Sequence, residues 1–224
     1  MNETTKATQV EKQSAGQADL EKINQYTMRE LSAEEVFTFS LIACDNQIDR
    51  DCERFADETL AEMAQLYPGK TVLLDHSWSA KDQCARVYAA EVRSDPVRVG
   101  VKQLLLRCYI PRLRNTENAI AAIETGLRKE CSVGCAVRLR KCSICGQDYD
   151  GGCLHLRGHE YNGQVCHVIL AGCDDVYEVS MVAVPAQREA GVVKSGEAKP
   201  NEDWKKSARA RIDLEQVRFG AVRH

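Results

Sequence analysis

Seven of the 11 cysteines in this chain lie between Cys131 and Cys173, and that concentration limits what the chain can build there. Within it, residues 142–166 (CSICGQDYDGGCLHLRGHEYNGQVC) are rich in glycine and poor in apolar side chains. Such a segment cannot bury a core of its own, so cross-links or a metal ion must supply the cohesion that packing does not. The polar start MNETTKATQVEKQ lacks the apolar h-region of a signal peptide. An odd number of cysteines without an export signal predicts a reducing setting, where thiols are metal ligands, nucleophiles or packing groups rather than a disulfide framework. The four outside the cluster, Cys44, Cys52, Cys84 and Cys108, read as small buried hydrophobes.

Cys142-Ser-Ile-Cys145-Gly is a CxxC followed by glycine, the form of a metal knuckle whose backbone turns tightly under an ion. Further on come Cys153 and His155, an i, i+2 pair that points one way from an extended strand. Three thiolates and an imidazole suit tetrahedral Zn²⁺ and close its coordination shell, which predicts a structural site rather than a catalytic one. His159, Cys166 and His167 are further donors, and Cys166 could replace His155 as fourth ligand. A redox CxxC is the competing reading, but that motif opens a helix, whereas this one follows a strand pattern and precedes a glycine-rich loop.

The 224 residues suffice for one domain with tails. Hydrophobic residues make up 44% and charged ones 28%, which excludes collagenous and low-complexity classes and predicts a soluble globular protein. The longest nearly apolar runs, around His167–Cys173 and Val179–Ala186, fall well short of the ~20 residues of a membrane span. Net charge is −3; residues 1–35 carry 4 basic and 7 acidic side chains and residues 194–224 carry 8 and 5. No broad basic face for nucleic acid is expected from this balance.

Residues 1–35 read as a flexible or locally helical N-terminal arm and residues 191–224 as a polar tail in which Ala208–Val222 could form a helix. Between them, strands are expected at 36–44, 70–75, 85–92, 102–110 and from Cys131, where Val133, Cys135, Val137 and Leu139 alternate with small or polar residues. Phe55, Leu60, Met63 and Leu66 share a helical face that Pro68-Gly69 ends, and Asn115 or Thr116 can cap a second helix with Ile120, Ile123 and Leu127 on one face. Two further strands, 165–171 and 176–184, follow the cysteine-rich insertion, which spans about 141–167. The uneven spacing of helices is not that of a parallel α/β sheet. The expected fold is α+β and mostly β: an antiparallel, barrel-like core with packed helices and a small zinc-knuckle insertion.

Three polar residues stand out in these strand patterns. His76 ends the run TVLLD, Ser132 opens a strand with Gly134 clearing space beside it, and Glu178 interrupts VYEVSMVAVPA, where an unpaired buried carboxylate is costly. Serine, histidine and acid supply the parts of acyl transfer: Oγ attacks, imidazole takes its proton, and the acid fixes the tautomer. Each also has a plain structural reading, a rim histidine, an ordinary serine and a glutamate paired with an arginine such as Arg138.

In order and spacing, IDRDCERF (48–55), LLDHS (73–77), Ala85-Arg86, CSVGC (131–135) and YEVSMVAVPA (177–186) resemble the prohead, or capsid maturation, serine proteases of tailed bacteriophages of the HK97 type. The resemblance covers about residues 36–190. That family is similar in fold to the herpesvirus assembly proteases, a β-barrel surrounded by helices. The resemblance implies Ser132 as nucleophile, His76 as general base and Glu178 as third member, with Asp75, Asp174 and Asp175 as alternative acids. It further implies a serine endopeptidase that cleaves scaffolding or major capsid protein, and its own tails in addition, inside the assembling prohead in the bacterial host cytoplasm. No membrane or nucleic-acid partner is implied. The zinc-like insertion departs from the simplest members; lying between the serine and glutamate strands, it is expected to brace them. Two other readings are a non-enzymatic zinc knuckle binding nucleic acid or a partner protein, and a zinc hydrolase using His76, His155 and His159. The latter lacks an HExxH helix and has too many thiolates for an open site.

Overall fold

Strand β1 (Val36–Asp45) is β-branched, aromatic and aliphatic almost throughout, and it pairs antiparallel with β5 (Lys102–Pro111), which pairs in turn with β4 (Ala85–Ser94). The computed structural model describes residues 15–193. Short β2 (Glu53–Phe55) leads through helix α2 (Asp57–Leu66) to β3 (Thr71–Leu74). Helix α3 (Glu117–Glu124) precedes β6 (Cys131–Cys142), a two-stranded hairpin of β7 (Glu160–Tyr161) and β8 (Gln164–Val165) lies in the insertion, and long β9 (Val168–Met181) follows. A last strand, β10 (Gly191–Val193), returns to β1.

Eight strands form one sheet in the order β10-β1-β5-β4-β3-β9-β2, with β6 on the other edge of β9. The sheet is mixed rather than antiparallel, since β2 and β3 both run parallel to β9. The cause is α2, which crosses over between β2 and β3 and so returns the chain in the same direction. Nor does the sheet close into a barrel: β6 and β10 approach only at the isolated bridge between Glu130 and Gly191. Leu60 and Met63 of α2 are buried in the core with Leu41, Val72, Val87, Leu104, Leu106 and Val179.

Strand β9 is one element where two were expected. Opposite β6 the register shifts twice, so that Tyr177 and Asp174 are each skipped. These bulges turn the polar residues outward without ending the strand. Phe55 closes β2 instead of opening a helix, and Leu127 lies beyond α3, exposed, because Gly126 at φ +76° ends that helix. Of the scattered cysteines, Cys44 and Cys108 are buried as expected, whereas Cys84 and Cys52 are only half-buried. No helix among the described residues is long and apolar enough to cross a membrane. The helix expected at 208–222 lies outside the described residues.

The folded part begins earlier than the hydrophobic pattern implies. Helix α1 (Gln17–Asn24) buries Ile23 completely, in a small second core with Val36, Tyr88 and Tyr109. Replacing Ile23 with Ala should cost about 2–4 kcal/mol, as truncation of a fully buried aliphatic does, while a merely loose arm would give no change in urea denaturation.

Candidate active site and metal centre

The run Thr71–Leu74 ends in a tight turn in which Asp75 and His76 both have positive φ, +50° and +55°. Two consecutive left-handed residues make the primed type of turn, closed by the Ser77 amide donating to the Leu74 carbonyl (2.9 Å). The Asp75 amide donates to the Met181 carbonyl at 3.0 Å, and the His76 amide to Ser180 Oγ at 3.0 Å. Strain at non-glycine residues persists only where neighbours hold it, and here β9 holds both.

The imidazole that this turn presents meets a buried acid. His76 Nδ1 lies 2.8 Å from Glu178 Oε1, and Ser180 donates to Glu178 Oε2 at 2.5 Å. The Glu178 side chain is 3% exposed and that of His76 42%, so the carboxylate is desolvated while the ring reaches solvent. Burial of the carboxylate is tolerable because each oxygen has a partner. With Nδ1 engaged by the acid, Nε2 makes no hydrogen bond to any described residue and is the free nitrogen of the ring.

Gly134 explains the room for Glu178. The two residues face each other across β6 and β9, and a Cβ on Gly134 would stand 2.1 Å from Glu178 Oε1. Two residues before Gly134, half-buried Ser132 is registered against Ser180. Opposed residues of an antiparallel pair share a face with Cβ atoms roughly 4.5–5.5 Å apart, so Ser132 and the His76 turn are both neighbours of Ser180. No hydrogen bond joins Ser132 to His76. At the open edge of β6, Ser132 borders a cavity of about 310 Å³ that Asp49, Asp51, Glu53 and Gln187 also line.

A groove on the other side of Glu178 is walled by Trp78 and Tyr177, whose rings lie 5.7 Å apart, with the Lys70–Asp175 ion pair (2.9 Å) at its rim. Trp78 is 76% exposed, an unusual state for a residue of this size unless something covers it. Two of the three alternative acids are engaged elsewhere. Asp175 binds Lys70, whose ammonium lowers its pKa, and Asp174 binds Arg138 at 2.8 Å. Arg138 reaches Asp174 and Glu62, not Glu178. Ser180 was not singled out by sequence; its signal is Glu-x-Ser, an i, i+2 pair that a strand puts on one face.

The insertion gathers its donors as the spacing implies. Ligand atoms of Cys142, Cys145, Cys153 and His155 all lie within 4.8 Å of one another, a set that could hold a metal ion such as zinc. Gly146 at φ +72° donates its amide to the Cys142 carbonyl (2.9 Å), closing the knuckle, and the Ile144 and His155 amides point at Cys142 Sγ and Cys153 Sγ, both at 3.4 Å. Burial acts against the Cys142 thiolate, but the Cys145 and Ile144 amides and the neighbouring thiols outweigh it and bring its pKa to about 6. Cys166 Sγ is 3.8 Å from Cys142 Sγ but is not one of the four mutually close donors. Neither His76 nor His159 belongs to the cluster, and His167 turns to the Val165 carbonyl. By contrast, burial pushes the thiols of Cys44, Cys108, Cys131 and Cys135 upward, the state of inert packing groups.

Comparison with family models, with curated proteins and with solved structures finds no match.

Two outcomes follow from this geometry. Gly134→Ala should destabilise the fold by about 1–3 kcal/mol in urea denaturation, because Glu178 cannot retreat without leaving His76 and Ser180. Chelation of metal from the purified protein should lower its melting temperature by on the order of 10 °C, since the insertion has no core to replace the cross-link; unchanged melting would show that no metal braces it.

Proposed function

We propose that the chain is a serine endopeptidase in which Ser132 is the nucleophile, His76 the general base and Glu178 the group that orients His76. The observation carrying this reading is the 2.8 Å contact between His76 Nδ1 and buried Glu178, on the strand face that also bears Ser132. Held by the acid, Nδ1 carries the ring proton and Nε2 is free to accept one. As Ser132 Oγ attacks a peptide carbonyl, its proton passes to Nε2; the imidazolium, stabilised by the Glu178 carboxylate, then protonates the leaving amine. Water enters by the same route and releases the acyl group. The direct Ser132–His76 hydrogen bond forms with substrate present, since catalytic contacts tighten in the complex.

The substrate class follows from the resemblance to prohead proteases: scaffolding protein, or the scaffold-like part of the major capsid protein, cleaved during prohead maturation in the bacterial host cytoplasm. The chain's own tails are a further substrate. An extended segment needs an open binding face, and the groove beside Trp78 and Tyr177 supplies one next to Glu178. Zinc on Cys142, Cys145, Cys153 and His155 is structural in this reading, with Cys166 as the substitute fourth ligand.

One observation favours the non-enzymatic alternative. The insertion exposes Leu154 (92%), Leu156 (57%) and Val165 (52%) beside the metal ligands, a surface that a zinc-knuckle module could use to bind a partner protein or nucleic acid. A fluorophosphonate probe separates the two. The peptidase reading requires covalent label on Ser132, mapped by mass spectrometry, and its loss in His76→Ala. Ser132→Ala should abolish capsid-protein processing while leaving the melting temperature within a degree or two. Processing that survives Ser132→Ala would refute the nucleophile assignment.

A further inference from the structure

We infer that Glu53 is a positioning residue through which the metal knuckle sets the wall of the cavity at Ser132. The inference rests on the reading of Ser132 as nucleophile. The physical coupling from knuckle to cavity can be measured without it.

The wall in question is the loop 49–53. Asp49, Asp51 and Glu53 line the cavity together with Ser132 and Arg140. The loop is held internally by Asp49, whose Oδ1 accepts the amides of Asp51 and Glu53, both at 2.9 Å, and Cys52 sits in it at φ +54°. The loop is joined to its surroundings by the Val168 amide, which donates to the Cys52 carbonyl at 2.9 Å, and by Arg50, whose amide donates to the Ala186 carbonyl and whose Nη1 donates to the Pro185 carbonyl, both at 3.1 Å. Its tie to the knuckle is Glu53, whose Oε1 accepts from Arg140 Nη2 at 2.6 Å and from Arg157 Nη1.

These two arginines come from different places. Arg140 belongs to β6, the strand of Ser132, whereas Arg157 belongs to the knuckle, two residues after His155. The adjoining backbone is tied to the cluster as well: Gly158 donates its amide to the Cys166 carbonyl at 2.8 Å, and the Arg157 amide donates to Tyr149 Oη at 3.1 Å. The knuckle also presses on the loop directly. A Cβ on Gly158, which has φ +81°, would lie 3.5 Å from Cys52 Sγ, so this part of the knuckle is in van der Waals reach of the loop. A bound metal would supply the cross-link that holds Cys153 and His155 to Cys142 and Cys145. The chain between His155 and Cys166, and with it Arg157, then has a fixed place from which to hold Glu53.

The geometry thus differs from a brace between the serine and glutamate strands. Those strands are already joined to each other by a ladder that runs from Cys131 to Cys142 with two bulges. What the knuckle reaches is the loop across the cavity, and a two-arginine clamp on one carboxylate oxygen is a charge-assisted contact that adds to the loop's backbone anchors.

Hydrogen exchange of the metal-loaded 224-residue chain tests this, read by mass spectrometry at the Asp51–Glu53 amides with metal content measured alongside. Arg157→Gln should raise exchange there by tenfold or more with metal content unchanged, and Arg157→Lys should restore most of the protection. Chelating the wild-type protein should raise exchange at the same amides. The inference is overturned if Arg157→Gln leaves those amides as protected as in the wild type. It is equally overturned if chelation exposes only residues 142–166. Fluorophosphonate labelling of Ser132 provides the separate arm: a slowing of at least threefold in Arg157→Gln, rescued by Arg157→Lys, extends the coupling to the nucleophile. Absence of label in the wild type would refute the peptidase reading while the exchange result still decides the role of Glu53.

Discussion

A carboxylate buried in the middle of a strand is the constraint around which this molecule is arranged. Glu178 lies in β9, which pairs with β6 along one edge and with β2 and β3 along the other, and almost none of its surface meets water. A charge so placed requires partners for both oxygens and space beside it. Ser180 supplies one partner from the same face, His76 supplies the other from the turn after β3, and Gly134 leaves the space. The register of β3, β9 and β6 brings these groups together, and a slip of one residue in either ladder would turn Glu178 away from them.

That arrangement also makes the histidine useful. A rim histidine without a partner can take either tautomer and many orientations, whereas one tied through Nδ1 to a desolvated acid presents Nε2 in one direction. The left-handed backbone at Asp75 and His76 is retained because the Met181 carbonyl and Ser180 hydroxyl anchor both amides. Strain is thus localised where a polar group must be aimed rather than where the core must be filled.

The cysteine-rich insertion answers a different problem. It leaves the sheet at Cys142 and rejoins it at Val168, adjacent positions across the β6–β9 ladder, so its length is invisible to the core. Its contacts to the rest of the molecule include the Arg157–Glu53 ion pair and the packing of Tyr149 against the core. A segment so poor in apolar side chains draws its order mainly from its donor cluster and from charge-assisted hydrogen bonds to its surroundings.

Much of this was legible in the residues alone. Cys142, Cys145, Cys153 and His155 are close in sequence, so local spacing determined that their donors could converge. Glu178 and Ser132 were legible as polar interruptions of apolar strands, and most strands as alternating or β-branched runs. What lay beyond reach was long-range. The parallel pairing of β2 and β3 with β9 depends on where α2 crosses, the continuity of β9 on bulges at Asp174 and Tyr177, and the order of α1 on a single buried isoleucine. The contacts of His76 with Glu178 and of Glu53 with Arg157 join residues about a hundred positions apart. Composition and periodicity describe which face a residue takes within its own element. Which faces meet is decided only when the ladders lock, because register, and not sequence distance, sets what a buried charge finds beside it.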